Sequence, residues 1–578
     1  MLIANICKTL NRRLCLALIV IGVPCLENQD SHAPAAEPTE QQTQADSEFT
    51  SVEVARAAEK KLRSLSDKVA PAVVKLSGPE GAEQQHHGSG VVIHPSGLIL
   101  THGHHDQPKE AKLSVTFPDG LIVEALIESV FSGRGRDFSL LKIQKPGKYP
   151  SVPLRREKPP VAGERCFHFG YPGKLIDVTT LSTPVLRLGR IAGSGRTSTY
   201  ANCLVVSGDS GGPLFDFEGQ LVGILDASIG PDLRHPGYWA DISKILDGAT
   251  FLGEDDKDEV GRLGFTNNQR QAVDTQRHLA NTLCPELLAP ARQATVDVLV
   301  DGQITILGTV VDSNGIVLTK RSEIMTHRGS PLGKVSCRLF DGEEVSAKVI
   351  ADSHADDVAL LQLSKRGLTT APLSPHEEPR RGVIVVVPVP GNEVSETGVL
   401  SVDRQFSIEP RLGNMTLVVE MKEAGVTVTS AGRDPDFTKL IRGSISEGDV
   451  ITHVDGEMTP DLATYEKQTK KDTSIAGEFV MLSIRRNGAT SQVAMPLDSA
   501  GSITAHSYAD VSLRLTGFPA VLIHDTIVGR RQCGGPVVDL EGRVVGVNIA
   551  RFHRCSTFAI PPQQIRRLIH ELSNDARR

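Results

Sequence analysis

Short apolar runs separated by glycine-containing turns dominate this chain. Gly88-Ser89-Gly90-Val91-Val92-Ile93 reads as a strand, Pro95-Ser96-Gly97 as a turn, and Leu98-Ile99-Leu100 as a second apolar strand running into histidines. Phe138-Ser139-Leu140-Leu141-Lys142-Ile143 is a further strand with Asp137 at its mouth. Helical spacing appears in residues 51–68, where Val52, Ala55, Ala58, Leu62 and Leu65 fall on one face. The pattern predicts a short amphipathic helix. Residues 265–290 read as a helical linker.

The pattern repeats. Residues 307–322, from Leu307-Gly308-Thr309-Val310 to Thr319-Lys320-Arg321-Ser322, align without gaps on 89–104. Asp357 to Leu361 align on Asp137 to Leu141, and Val538 to Gly542 on Phe215 to Gly219. The second half is therefore a further copy of whatever the first half is. The copies differ in spacing: the span from Gly398 to Cys533 is about 114 residues longer than that from Gly189 to Ser210, so a module has entered the second copy.

Composition narrows the class. A chain of 578 residues is too long for one core. With 39% hydrophobic and only 4% aromatic residues, it fits several β-rich domains. A net charge of −7 without a basic stripe gives no footing for nucleic acid, and the acidic run 254–259 reads as a solvated linker face. Lys8, Arg12 and Arg13 precede the apolar run Leu14–Val23, too short to span a bilayer, so residues 1–25 read as an export signal. Residues 26–50 are a disordered tether in composition. An exported chain can hold disulfides. Cys166 and Cys203 are either such a pair or buried free thiols.

The chemistry sits at Gly208-Asp209-Ser210-Gly211-Gly212-Pro213. A chain that exposes a serine Oγ while aiming two amides at one point needs positions without a Cβ. His104 and Asp137 precede Ser210 in the order that serves a triad of base, orienting acid and nucleophile. His86, His87, His102 and His105 surround His104, but no Cys or carboxylate spacing completes a zinc motif. No metal or cofactor is called for. In the second copy Ser322 stands in place of the base, Asp357 keeps the acid, Cys533 replaces the nucleophile and Arg531 the first glycine of the loop. Without an imidazole this site lacks a general base. A cysteine protease there would need His354 or His524 to migrate.

Residues 69–248 resemble the protease domain of the HtrA (Do-like) branch of the trypsin fold, which carries the same succession of Gly-Ser-Gly-Val, Thr-x-x-His, Asp-x-x-Leu-Leu and Gly-x-Ser-Gly-Gly-Pro. The resemblance implies a mostly β protein of tandem double barrels. It implies His104 as general base, Asp137 as its orienter, Ser210 as nucleophile, and the Gly208 and Ser210 amides as oxyanion hole. Asp209 departs from the family's usual Asn. With no activation sequence ahead of the first strand, Asp209 is expected to take a local donor. Leu204 and Val205 stand where the specificity pocket has its floor, which predicts cleavage after aliphatic residues.

Within the longer second copy, Gly425-Val426-Thr427-Val428, Glu447-Gly448-Asp449-Val450-Ile451 and Phe479 to Gly488 resemble a PDZ domain, with Leu412-Gly413 as the carboxylate-binding loop. Such domains bind extended peptide ends by adding a strand to an open sheet edge. The resulting organisation is an active protease domain at 51–250, a linker at 251–290, and an inactive protease domain at 291–410 and 498–578 around a PDZ-like domain at 411–497. Partners are then unfolded or extended polypeptides, peptide ends and further copies of the chain. The competing reading is a non-catalytic envelope scaffold or holdase.

Overall fold

The computed structural model describes residues 51–78, 88–104, 108–131, 137–156, 158–173, 183–194, 198–228, 237–241, 285–376, 380–390, 396–430, 440–469, 474–498, 511–553 and 556–575. The export segment, the tether, His86, His87, His105, the acidic run and most of the linker lie outside the described residues.

Six strands between Val73 and Ile143 close into a barrel in the order first, second, third, sixth, fifth, fourth. The closure follows from alternation. In Lys112–Thr116 Leu113 and Val115 point inward, and in Ile122–Phe131 Val123, Ala125 and Ile127 do the same, with Glu124 outside. Six strands between Arg165 and Asp241 close a second barrel with the same set of neighbours. Phe167, Phe169 and Phe215 from that barrel pack into one apolar cluster with Val91, Ile99 and Leu141 of the first. A trypsin-like double barrel is what these two closed sheets make.

The second half repeats the architecture. Six strands from Thr295 to Leu363 close a third barrel with the same connectivity as the first. The fourth sheet, from Ile384 to Ile560, follows the same path but stays open, with an isolated bridge between Leu400 and His524 where the gap lies. The opening coincides with the extra chain. Between strands Phe406–Ile408 and Phe518–His524 the chain forms a separate six-stranded sheet spanning Val418–Pro496, with its own core of Val426, Ile451, Leu482, Ile484 and Val493.

Helix α1 (Val52–Val69) begins at the cap Ser51 and buries Ala55, Ala58, Leu62 and Val69. It packs on its own chain and touches both halves. Lys61 pairs with Glu218 at 2.8 Å on one side. On the other, Arg56 pairs with Glu541 at 3.0 Å, and Glu59 accepts the Ile384 amide at 2.9 Å. Helix α2 (Pro285–Gln293) is the described end of the linker, α3 (Leu462–Thr469) belongs to the inserted sheet, and α4 (Pro562–Asp575) buries Ile565, Leu568 and Leu572 against the second half.

Candidate functional site

The loop 208–213 of the second barrel is fastened to the first barrel. Gly208 has φ +95°, and a Cβ there would collide with Gly173 N and Tyr171 O. Gly211, at φ +80°, lies against Ser89 O and Thr101 Oγ1 of the first barrel. Ser89 fastens the loop twice, its Oγ donating to Gly208 O and its amide to Ser210 O, each at 2.8 Å. The Gly211 amide donates to Leu225 O at 2.8 Å, and the Leu225 amide to Gly212 O at 2.9 Å. Among the described residues the amides of Gly208 and Ser210 have no acceptor, so both donors remain available beside the Ser210 side chain.

Asp209 has the local donor its sequence context called for. Its carboxylate pairs with Arg187 at 2.8 Å and accepts the Val206 amide at 2.8 Å, and both side chains of the ion pair are fully buried. Arg187 stands on strand Val185–Ser194, 22 positions away, so no local motif announces it.

Across the barrel interface, His104 Nδ1 hydrogen-bonds Asp137. Asp137 is buried, whereas the His104 side chain is about half exposed. Gly103 permits this approach, because a Cβ there would strike Phe131 O. The His102 ring lies 4.3 Å from that of His104. A second acid, missed in the sequence, completes the group: ligand atoms of His104, Asp137 and Asp226 all lie within 4.8 Å of one another. Burial first, and then the charge of Asp137 with which it is in hydrogen-bond contact, push the Asp226 carboxyl up to about 7. These are donor types that a cation accepts, but Nδ1 of His104 is already engaged by Asp137.

Of the two residues expected to floor a specificity pocket, Val205 is instead packed in the second barrel's core with Leu214, Leu225 and Trp239. Leu204 is buried too but lies outside that cluster. Cys166 and Cys203 are thiols with sulfurs 4.0 Å apart, not a disulfide. Burial raises the Cys166 thiol well above its ordinary range.

The second copy reproduces the scaffold of the first and fills its site. The Leu307 amide donates to Cys533 O at 3.1 Å as Ser89 does to Ser210, and Gly534 lies against Leu307 O and Thr319 Oγ1 as Gly211 does against Ser89 and Thr101. Ser322 Oγ donates to Asp357 at 2.9 Å. Lys320, in the place of His102, forms a fully buried ion pair with Asp357 at 2.6 Å. Arg514 adds a second cation at 3.7 Å, and the two hold the Asp357 carboxyl below its usual range despite burial. Arg514 also pairs at 3.0 Å with Glu478 from the inserted segment. Cys533 is fully buried and its thiol is raised, chiefly by desolvation. The charge of Lys320 opposes that rise, whereas Arg531, the sequence candidate, is exposed. His354 is bound to Glu478 at 2.8 Å, and His524 to Asn548 at 2.8 Å, with burial holding His524 down at about 4.

A family model described as a trypsin-like peptidase domain matches residues 88–224 and again 307–491. A serine protease HTRA1 from Xenopus laevis is 32% identical over 142 residues, covering 24% of this chain and 30% of the relative. The serine endoprotease DegS from Salmonella typhimurium is 28% identical over 166 residues, covering 27% of this chain and 46% of the relative. The chain thus spans less than half the length of these curated relatives. A solved serine endoprotease from Yersinia pestis aligns at 16% identity with a TM-score of 0.27, covering 76% of this chain and 97% of that one.

Proposed function

The chain belongs to the trypsin-like peptidase domain family, and from that premise we propose that it is an exported, HtrA-type serine endopeptidase whose first half cuts unfolded or extended polypeptides. The observation that carries the reading is the pairing of two acceptor-free amides, at Gly208 and Ser210, with the His104–Asp137 hydrogen bond at one barrel junction. His104 takes the Ser210 proton as Oγ attacks the scissile carbonyl, and Asp137 fixes the imidazole tautomer. The two amides stabilise the oxyanion, each donor worth about 3 kcal/mol. His104 then protonates the leaving amine, and water, activated by the same imidazole, hydrolyses the acyl-enzyme.

Leu204 makes the pocket floor apolar in this reading, so cleavage follows aliphatic residues such as Val, Ala or Ile. The second half does not cut: the Ser322 position has no imidazole, and the Cys533 thiol is buried. Its insert acts as a PDZ-like module that captures peptide ends.

A fluorophosphonate probe tests the reading directly. The adduct is expected on Ser210, and Ser210→Ala and His104→Ala each reduce casein cleavage by on the order of 10⁴–10⁶ with folding retained. Mass-spectrometric mapping of the casein cuts is expected to show aliphatic residues before the scissile bond. A folded, mature protein that takes no probe is a scaffold or holdase instead, and cuts dominated by Lys or Arg remove Leu204 from the pocket.

A further inference from the structure

Asp226 is placed with more care than an ordinary strand residue. Strand Leu221–Ser228 pairs with Gly237–Asp241, and its register slips between Leu225 and Ala227, so Asp226 is the extra residue of a β-bulge. Bulges beside active sites re-aim a side chain. The two Leu225 hydrogen bonds to Gly211 and Gly212 lock this bulge to the nucleophile loop. Asp226 is therefore fixed in relation to Ser210 while its carboxyl reaches Asp137 on the other barrel.

The second copy is the internal contrast. There Asn548 exchanges the corresponding hydrogen bonds with Gly534 and Gly535, and the next residue is Ile549, apolar and fully buried. The acid of that copy is neutralised by Lys320 and Arg514. In the first copy a second acid has been added to the first.

Two carboxyls in contact in a partly buried site cannot both ionise cheaply, so one holds a proton near neutrality. The charged groups facing Asp226 are Asp137 and His104. Behind His104 lies the His102 ring. Strand Leu98–Thr101 brings no titratable side chain, and Ser198–Ala201 only the Tyr200 phenol. On the second-barrel side Arg187 is paired with Asp209, and burial keeps His168 neutral.

We propose that Asp226 is a positioning residue of the Ser210 site: protonated, its O–H donates to Asp137, and ionised, it adds a second negative charge that holds His104 as imidazolium. The fraction of His104 able to act as base is then set by the pair of acids and not by Asp137 alone. This rests on the protease reading of Ser210.

The test is the rate of fluorophosphonate labelling of the full-length protein from pH 5 to 9. In the wild type the acid limb is expected to spread over two coupled ionisations. Asp226→Asn keeps an N–H donor for Asp137 but carries no charge. Its limb should fit one ionisation with a midpoint lower by roughly one unit or more. Well below both midpoints that is about tenfold faster labelling than the wild type. Asp226→Ser is expected to move the limb the same way, and thermal melting verifies that each variant is folded. A folded variant whose profile superposes on the wild type overturns the role of Asp226 while leaving Ser210 as nucleophile. If neither variant folds, a wild-type limb that fits a single ionisation overturns it equally. A wild type that takes no label on Ser210 removes the protease reading and this inference together.

Discussion

Replacing Arg187 by Leu is the sharpest perturbation the structure offers, because Arg187 and Asp209 are both fully buried and meet at 2.8 Å. Breaking a buried pair by removing one partner costs about 3–5 kcal/mol, since the remaining charge is left without its counter-ion. For a domain of this size each kcal/mol moves the melting temperature by about 2–4 °C, so the first-half transition should fall by roughly 6–20 °C. Activity should fall further than stability explains. Asp209 lies between Gly208 and Ser210, and a carboxylate that rotates to find a new donor takes both amides with it. Loss of one such donor alone is worth about 10²–10³ in turnover. Arg187→Leu combined with Asp209→Asn removes both charges, and should recover much of the melting loss in a double-variant cycle. The assays are calorimetry and the rate of fluorophosphonate labelling under conditions where the variants remain folded. An Arg187→Leu protein that melts and labels like the wild type refutes the claim that this pair holds the oxyanion loop.

Two further predictions concern the second half. Cys533→Ala should leave casein cleavage unchanged, and the Cys533 thiol of the folded protein should resist alkylation near neutral pH, because it is fully buried and desolvation raises it; lost cleavage in the variant would mean that the cutting half has been misidentified. Glu478→Gln should destabilise the second half by roughly 3–5 kcal/mol, since Glu478 answers buried Arg514 at 3.0 Å, and hydrogen exchange of strand Phe518–His524 unchanged from wild type would contradict that.

What could be read in the sequence was whatever is written locally. The glycines of the nucleophile loop, the apolar strands and the ungapped repeat of residues 89–104 at 307–322 each lie within a few consecutive residues, and each has its counterpart in the closed barrels. Arg187 escaped because it lies on strand Val185–Ser194, away from the Asp209 loop in sequence, and meets it only when the second barrel closes. Asp226 escaped for another reason. Within Leu221–Ser228 it looks like an ordinary polar strand position, and only a one-residue slip of register turns it towards Asp137. Val205 stands at the pocket's distance from Ser210 in the sequence, but it packs in the core beside Trp239. Lys320 was visible opposite His102 in the repeat, yet its ion pair with Asp357 depends on the third barrel bringing two strands together.

The neck of the inserted segment has a consequence for how the chain can change. Asn414 and Asp498 exchange backbone hydrogen bonds of 2.7 and 2.9 Å, so the chain leaves the fourth sheet and returns to it side by side. To the strands around it, the whole insert is equivalent to the tip of a hairpin. Lengthening a closed tip costs only about 0.6 kcal/mol for each doubling of its length. A different module could therefore be grafted at residues 414 and 498 without altering the paths that carry Ser322, Asp357 and Cys533, provided that its ends meet as two zipped strands. It would also have to replace the contacts that the insert makes with the third barrel, among them Arg442 to Glu323 at 3.0 Å. It must return a carboxylate to Arg514, because Glu478, inside the graft, is what that buried guanidinium now holds.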